Sequence, residues 1–179
     1  RAKYFQLRGL GELSQFSGEG APHFYVGFII DNIDFSGIGM IGNLFDTKQV
    51  EIFKGPQSSI YGPNALGGII NIVSNDPINK KILEFDISRY SFNGKTINVT
   101  ISLPLNSKIL TKFTLSKNYT DGYIKNISDT SSPQFDTNSK DEILFRNKIL
   151  IKPNINTDIT ITSYYINLDN KYDAWAPDN

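Results

Sequence analysis

At 179 residues, with 18 basic and 18 acidic side chains, the chain has the length of one ordinary domain and no net charge to draw it toward nucleic acid. A hydrophobic fraction of 39% suffices for a folded core, yet no apolar run approaches the roughly 20 residues of a membrane-spanning helix. Having no cysteine excludes disulfides, thiolate metal sites and cysteine nucleophiles, and a single histidine, His23, excludes any multi-histidine metal centre.

The chain begins Arg1-Ala2-Lys3, with neither an initiator Met nor a charged-then-apolar leader, so it is expected to be processed or part of a longer sequence. Most of its 14 glycines lie in residues 1–68, and only two lie in 80–179. In the glycine-rich part, Tyr25 to Asp31, Gln49 to Phe53 and Gly68 to Val73 are short apolar stretches bounded by Gly, Pro and Asn, the pattern of short buried strands joined by tight loops. Leu44-Phe45 and Ser58 to Tyr61 are each predicted to form a helical turn. These features describe a small α+β unit.

The pattern changes near Asp76-Pro77. Beyond it, Leu83, Phe85 and Ile87 alternate with Glu84, Asp86 and Ser88, and Ile97, Val99, Ile101 and Leu103 alternate with Asn98, Thr100 and Ser102. A third run sets Ile109, Phe113 and Leu115 against Lys112, Thr114 and Ser116. A fourth sets Ile143, Phe145, Ile149 and Ile151 against Leu144, Arg146, Lys148 and Lys152. A fifth, Asp158 to Leu168, alternates less cleanly. Strands of roughly 9 to 11 residues with one apolar and one polar face have the length of a tilted β-strand crossing a bilayer. A soluble β-domain shares the alternation but uses shorter strands.

The links between these runs are short at Asn93-Gly94, Pro104 to Ser107 and Pro153 to Thr157, and long from Tyr119 to Lys140. Outer-membrane barrels have short periplasmic turns and longer external loops. Entry from the periplasm at 77–82 places Pro104 to Ser107 and Pro153 to Thr157 on the periplasmic side. Tyr90, Phe92, Tyr119 and Tyr123 then fall at the external strand ends, where aromatic girdles sit.

Gln49 to Pro77 reads Gln-Val-Glu-Ile-Phe-Lys-Gly-Pro-Gln-Ser-Ser-Ile-Tyr-Gly-Pro-Asn-Ala-Leu-Gly-Gly-Ile-Ile-Asn-Ile-Val-Ser-Asn-Asp-Pro. It resembles the end of the plug domain of TonB-dependent outer-membrane receptors, where a Val-Glu-Val-x-Arg-Gly-Pro pattern leads through Tyr-Gly and Gly-Gly to Ile-Asn-Ile-Val and the first barrel strand. Phe5 to Gly11 looks like the family's Ile-Arg-Gly motif, and Phe28 to Ile33 like its apolar-Asp-Gly-apolar motif with Asn32 in place of Gly. Less specifically, Asp121 to Asn126 and Tyr172 to Trp175 resemble segments of the first barrel strands and loops in the iron-complex branch.

The resemblance implies an α+β plug over residues 1–77, lacking its N-terminal part, followed at 78–179 by about five strands of an antiparallel transmembrane barrel. It implies an outer-membrane location and uptake of ferric siderophores or a similar nutrient chelate, energised by the TonB complex through a segment absent from this sequence. Its partners would be that complex, the chelate and outer-membrane lipid. The motif glycines Gly9, Gly55, Gly62, Gly67 and Gly68, with Pro56, would make the sharp turns and close approaches. Arg8, Glu51 and Lys54 would be the plug charges that pair with the barrel wall. The family usually has Arg where this chain has Lys54, and lysine lacks the bidentate fork, so that contact is expected to be weaker. Ser14, Gln15 and Phe16, with Phe35 and Ser36, are the ligand-facing candidates, offering amide, hydroxyl and aromatic groups to a polar chelate.

Other signals lead nowhere. Gly62 to Gly68 lacks the Gly-Lys-Ser/Thr ending of a phosphate-binding loop, Asp31 and Asp34 resemble a paired-carboxylate site only in spacing, and the three glycosylation sequons are chance products of an Asn-, Ser- and Thr-rich chain. No nucleophile and base converge, so no catalytic residue, metal or cofactor is expected and the chain is read as a non-enzyme. About 100 residues and five strands cannot close a large plugged barrel. A fragment of a receptor is therefore expected; the alternatives are a soluble periplasmic plug-like binding module or a non-functional truncated product.

Overall fold

The computed structural model describes residues 5–11, 24–36, 44–123 and 138–171, in a chain that divides into two units, Ala2–Asn75 and Asp76–Asn179.

In the first unit, β1 (Gln6–Leu7) and β2 (Leu10–Gly11) form a small hairpin. A four-stranded sheet has the order β4-β3-β6-β5, built from β3 (Val26–Ile30), β4 (Ile33–Asp34), β5 (Thr47–Lys54) and β6 (Gly68–Ser74). β3 runs parallel to β6, and the outer strands are antiparallel to their neighbours. All five residues of β3 are buried, which explains why Val-Gly-Phe-Ile-Ile reads as an unbroken apolar run rather than an alternation. Asp31 and Asn32 join β3 to β4 at φ 47° and 66°, a left-handed pair that Asp and Asn tolerate better than other non-glycine residues. Ile29, Ala65 and Ile69 form the core cluster, with Phe53 and Tyr61 packed against it.

The single helical turn, α1 (Ser58–Tyr61), lies where the sequence predicts one. Leu44-Phe45 does not: Phe45 and Asp46 form a turn entering β5. Asp46 has φ 57°, outside the helical region, and its backbone carbonyl accepts from Asn75 N–H at 3.2 Å, so the segment is tied to the end of β6 instead.

The second unit is a five-stranded antiparallel meander in the order β11-β10-β9-β8-β7: β7 (Ile82–Tyr90), β8 (Gly94–Pro104), β9 (Ile109–Thr120), β10 (Lys140–Asn154) and β11 (Thr157–Asn170). Each strand pairs with its sequence neighbour, and among the described residues β7 does not pair with β11, so the sheet is open. The last three strands, of 12, 15 and 14 residues, outrun the length read from alternation. Their ends are polar but still paired: Lys117, for example, is ion-paired with Asp141 across β9 and β10.

The β7–β8 turn also differs from expectation. Gly94 N–H donates to Ser91 O at 3.2 Å, and the left-handed residues are Phe92 (φ 59°) and Asn93 (φ 54°), one position earlier than Asn93-Gly94. Gly94 is paired with Tyr90 in the ladder, where a Cβ would collide with the Tyr90 ring. The ring covers the bare glycine, and its hydroxyl continues over β8 to donate to Asn118 Oδ1 on β9 at 2.5 Å.

Candidate functional site

The segment after β5 is a closed loop. Gly55 N–H donates to Gly67 O at 3.1 Å, Gln57 N–H to Ala65 O at 2.8 Å, and Gly67 N–H to Tyr25 O at 2.6 Å, so the chain leaves β5, makes α1 and returns to start β6 beside its point of departure. Gly68 sits at the return with φ 144°, where a Cβ would strike the Phe53 carbonyl and the Leu7 methyl. Gly67 is packed nearly as tightly, a Cβ there lying 3.1 Å from Tyr25 O. Gly55 and Gly62 take positive φ beside Pro56 and Pro63 in open space.

Arg8 and Gly9 form the tip of the β1–β2 hairpin at φ 54° and 77°, and Arg8 is exposed. Glu51 and Lys54 lie on β5, three residues apart and hence on opposite faces. Glu51 is engaged locally: it accepts from Asn71 Nδ2 at 2.7 Å and from Gln49 Nε2 at 2.9 Å. Lys54 is exposed at the strand end. The three charges therefore do not form one cluster.

Two carboxylates outside the expected charge set, Asp31 and Asp34, instead organise the unit. Asp31 accepts from Ser74 through both oxygens, from N–H at 2.9 Å and from Oγ at 2.6 Å, fixing the end of β6 to the β3–β4 turn. Asp34 accepts from Ser36 N–H at 2.8 Å and from Asn64 Nδ2 at 2.9 Å, and Asn64 Oδ1 in turn accepts from Phe24 N–H at 3.0 Å. Partial burial alone would raise the Asp34 carboxyl, but hydrogen bonds from Ser36 and Asn64 outweigh it and hold it below its ordinary 3.8. The available signal was the Asp31-Asn32 turn pair, which marks carboxylates at a backbone junction rather than at an acid–base site.

Among the ligand-facing candidates, Ser14, Gln15 and Phe16 lie outside the described residues. Phe35 is buried and contributes to the core instead of presenting its ring. The Ser36 hydroxyl accepts from Phe28 N–H at 2.9 Å, closing the β3–β4 hairpin. Among the described residues, no group of three or more His, Asp or Glu could hold a metal ion.

The second unit presents two chemically opposed faces. Phe85, Val99, Leu115, Phe145 and Tyr165 occupy one lateral row across all five strands, flanked by Leu83, Ile101 and Phe113. Phe85 is 71% exposed, and Leu83, Ile87, Ile97, Leu103 and Leu115 are exposed with it. Leu110 and Leu144 are buried, but the buried side chains are mostly polar, among them Asn98, Thr100, Ser102, Thr114, Ser116, Glu142, Arg146 and Lys148. They bond laterally, with Asn98 Nδ2 donating to Asp86 at 3.1 Å, Ser116 Oγ to Asn98 Oδ1 at 2.8 Å, Thr100 and Thr114 hydroxyls 3.2 Å apart, and Asn170 Nδ2 donating to Glu142 at 2.8 Å. Such a sheet is inverted relative to a soluble protein, with hydrocarbon outward and hydrogen-bonding groups inward, as in a barrel wall. No helix among the described residues is long and apolar enough to cross a membrane, a finding that leaves β-strand crossing open.

Comparison with known proteins agrees with both halves. Residues 1–69 match the TonB-dependent receptor plug domain family. The pesticin receptors of Yersinia enterocolitica and Yersinia pestis are 35% identical over 71 residues, covering 40% of this chain and 10% of theirs. The crystal structure of the ferric yersiniabactin uptake receptor FyuA from Yersinia pestis superposes with a TM-score of 0.74 at 22% identity, covering 89% of this chain and 24% of that one. The pyoverdine outer membrane receptor FpvA from Pseudomonas aeruginosa superposes at 0.64 with 15% identity, covering 81% and 21%. At these identities the structural likeness establishes the fold, which extends through the plug into the strands. The chain spans about a tenth of the curated relatives and a quarter of the first solved receptor. Residues 1–69 thus carry a match to the TonB-dependent receptor plug domain family, and the likeness to solved receptors, which is one of fold, continues into the open sheet of barrel-wall chemistry.

Proposed function

We propose that residues 1–77 are the plug and 78–179 the opening strands of a longer, non-enzymatic outer-membrane transporter that takes up a ferric siderophore or a similar nutrient chelate. TonB energises it through a segment outside this sequence. The observation that carries the reading is the inversion of the five-stranded sheet, whose apolar face is exposed along strands of 9 to 15 residues while Thr100 and Ser102 are 1% exposed. A hydrocarbon surround makes that arrangement favourable, which supports the reading. The chelate class is supported by the names of its relatives, which include receptors for ferric yersiniabactin and pyoverdine. Arg8, Glu51 and Lys54 are the charges proposed to retain the plug in the complete barrel, and Ser14, Gln15, Phe16 and Ser36 the groups proposed to meet the ligand. Phe35 is given no ligand role, because it is buried.

Deletion of the full-length gene and growth under iron limitation on a panel of ferric siderophores tests this. Growth should fail on one chelate, be restored by the gene, and be lost again when TonB is disrupted. Undiminished growth of the deletion strain on every iron source would overturn the proposal.

A further inference from the structure

The balanced net charge conceals a segregation along the strands of the second unit. Lys80, Lys81, Lys108 and Lys152 are all exposed at the end where β7 begins and where the β8–β9 and β10–β11 turns lie. The acids near them are Asp158, 3.6 Å from Lys152, and Asp76, already engaged by the buried Lys148 at 3.0 Å. At the opposite end, Lys117 and Lys171 pair with Asp141 and Asp169, and the remaining charges among the described residues are Asp121 and Glu142 with Arg89, Lys95 and Lys140. Among the described residues, one end is cationic, and the other is closer to neutral and carries the aromatics Tyr90, Phe92 and Tyr123.

The cationic end is also structured. Lys152 N–H donates to Lys108 O at 2.8 Å, and Lys108 Nζ reaches Pro153 O at 3.4 Å, so the two turns form one continuous rim. Between the lysines, Ile78, Leu105 and Ile155 are exposed, Ile155 at 99%. Ammonium groups interleaved with bare aliphatic side chains suit neither plain water nor hydrocarbon. They suit the boundary between a phosphate layer and acyl chains, where lysine stems lie along apolar surface and their heads reach the phosphates. A rim one turn deep is too narrow for a protein interface of about 800 Å² per partner, but it matches individual headgroups.

We infer that this short-turn rim binds the headgroups of anionic phospholipid, of the phosphatidylglycerol type, in the periplasmic leaflet. The inference rests on the proposed reading of β7–β11 as bilayer-crossing strands whose short turns face the periplasm.

The test uses the full-length protein folded into phosphatidylcholine vesicles containing a minor fraction of phosphatidylglycerol. The motion-restricted fractions of spin-labelled phosphatidylglycerol and phosphatidylcholine are compared. Phosphatidylglycerol should be preferred roughly two- to five-fold, and the preference should fall as salt rises from about 0.05 to 0.5 M. Changing Lys80, Lys81, Lys108 and Lys152 together to Gln should abolish it, changing them to Arg should retain it, and Lys95→Gln with Lys140→Gln should leave it intact. Should the fourfold Gln variant fail to fold, the salt dependence of the native protein still decides. A folded, heat-modifiable protein with no phosphatidylglycerol preference, or with one that follows Lys95 and Lys140, overturns this inference while leaving the transporter reading standing. A protein that inserts into no vesicle and never becomes heat-modifiable overturns both.

Discussion

Gly68 carries two demands at once, a φ of 144° and a Cβ position already filled by the Phe53 carbonyl and a Leu7 methyl. Gly68→Ala should cost about 2 kcal/mol or more, because neither the backbone nor the carbonyl can yield cheaply. Limited proteolysis of the full-length variant should cut the plug at protease levels that spare the native protein. Tyr90→Phe tests a gentler case: it keeps the ring over Gly94 but loses the hydroxyl bond to Asn118, and should cost about 1 kcal/mol in the unfolding midpoint. Asp34 links the plug to pH. Its folded carboxyl titrates below the ordinary 3.8, so its contribution is present above that value and fades as pH falls through the lower folded value. The carboxylate is solvent-exposed, which limits the effect to roughly a few tenths of a kcal/mol. Asp34→Asn should lack this part of the acid limb, seen as a flatter loss of melting temperature below about pH 4. Arg8→Ala in the full-length protein should raise passive leakage of small solutes, and unchanged permeability would remove Arg8 from the retaining set.

Neighbouring positions on one strand make the facing of the sheet testable at the scale of an element. Phe85 and Glu84 are both exposed on β7 but point to opposite faces. Phe85→Lys should lower folding stability in vesicles by about 2–4 kcal/mol if its face meets hydrocarbon, whereas Glu84→Lys should be tolerated. Equal tolerance would mean that both faces meet water. Strand existence and facing were legible because alternation with period two reports burial directly. Strand lengths were not, since the ends of β9 to β11 are held by cross-strand polar pairs such as Lys117 with Asp141, which leave no apolar rhythm to read. Leu44-Phe45 differs from the expected helical turn because two apolar residues cannot convey that Asp46 turns left-handed against Asn75. The β7–β8 turn lies one residue earlier than Asn-Gly suggests, because that pair usually supplies both left-handed residues whereas here the glycine is needed beneath an aromatic ring. The motif loop from Gly55 to Gly68 could be located in the sequence. The Asp31–Ser74 and Asp34–Asn64 bonds could not, since they join residues 43 and 30 positions apart.

Across the molecule, an open sheet with an exposed apolar face and two unpaired edges, β7 and β11, is a poor membrane protein by itself, because unpaired backbone groups in hydrocarbon are costly. Residues 1–179 expressed alone with an export signal should therefore be recovered as aggregate or degraded. A heat-modifiable band in the outer-membrane fraction would contradict this. The buried ammonium of Lys148 bears on how such a sheet is made. It holds Asp76, the first residue of the second unit, across 72 positions of sequence. The bond can form only once β10 has been laid beside β9, so it locks the start of the sheet late in its assembly, after the pairing of β7 with β8 and of β8 with β9.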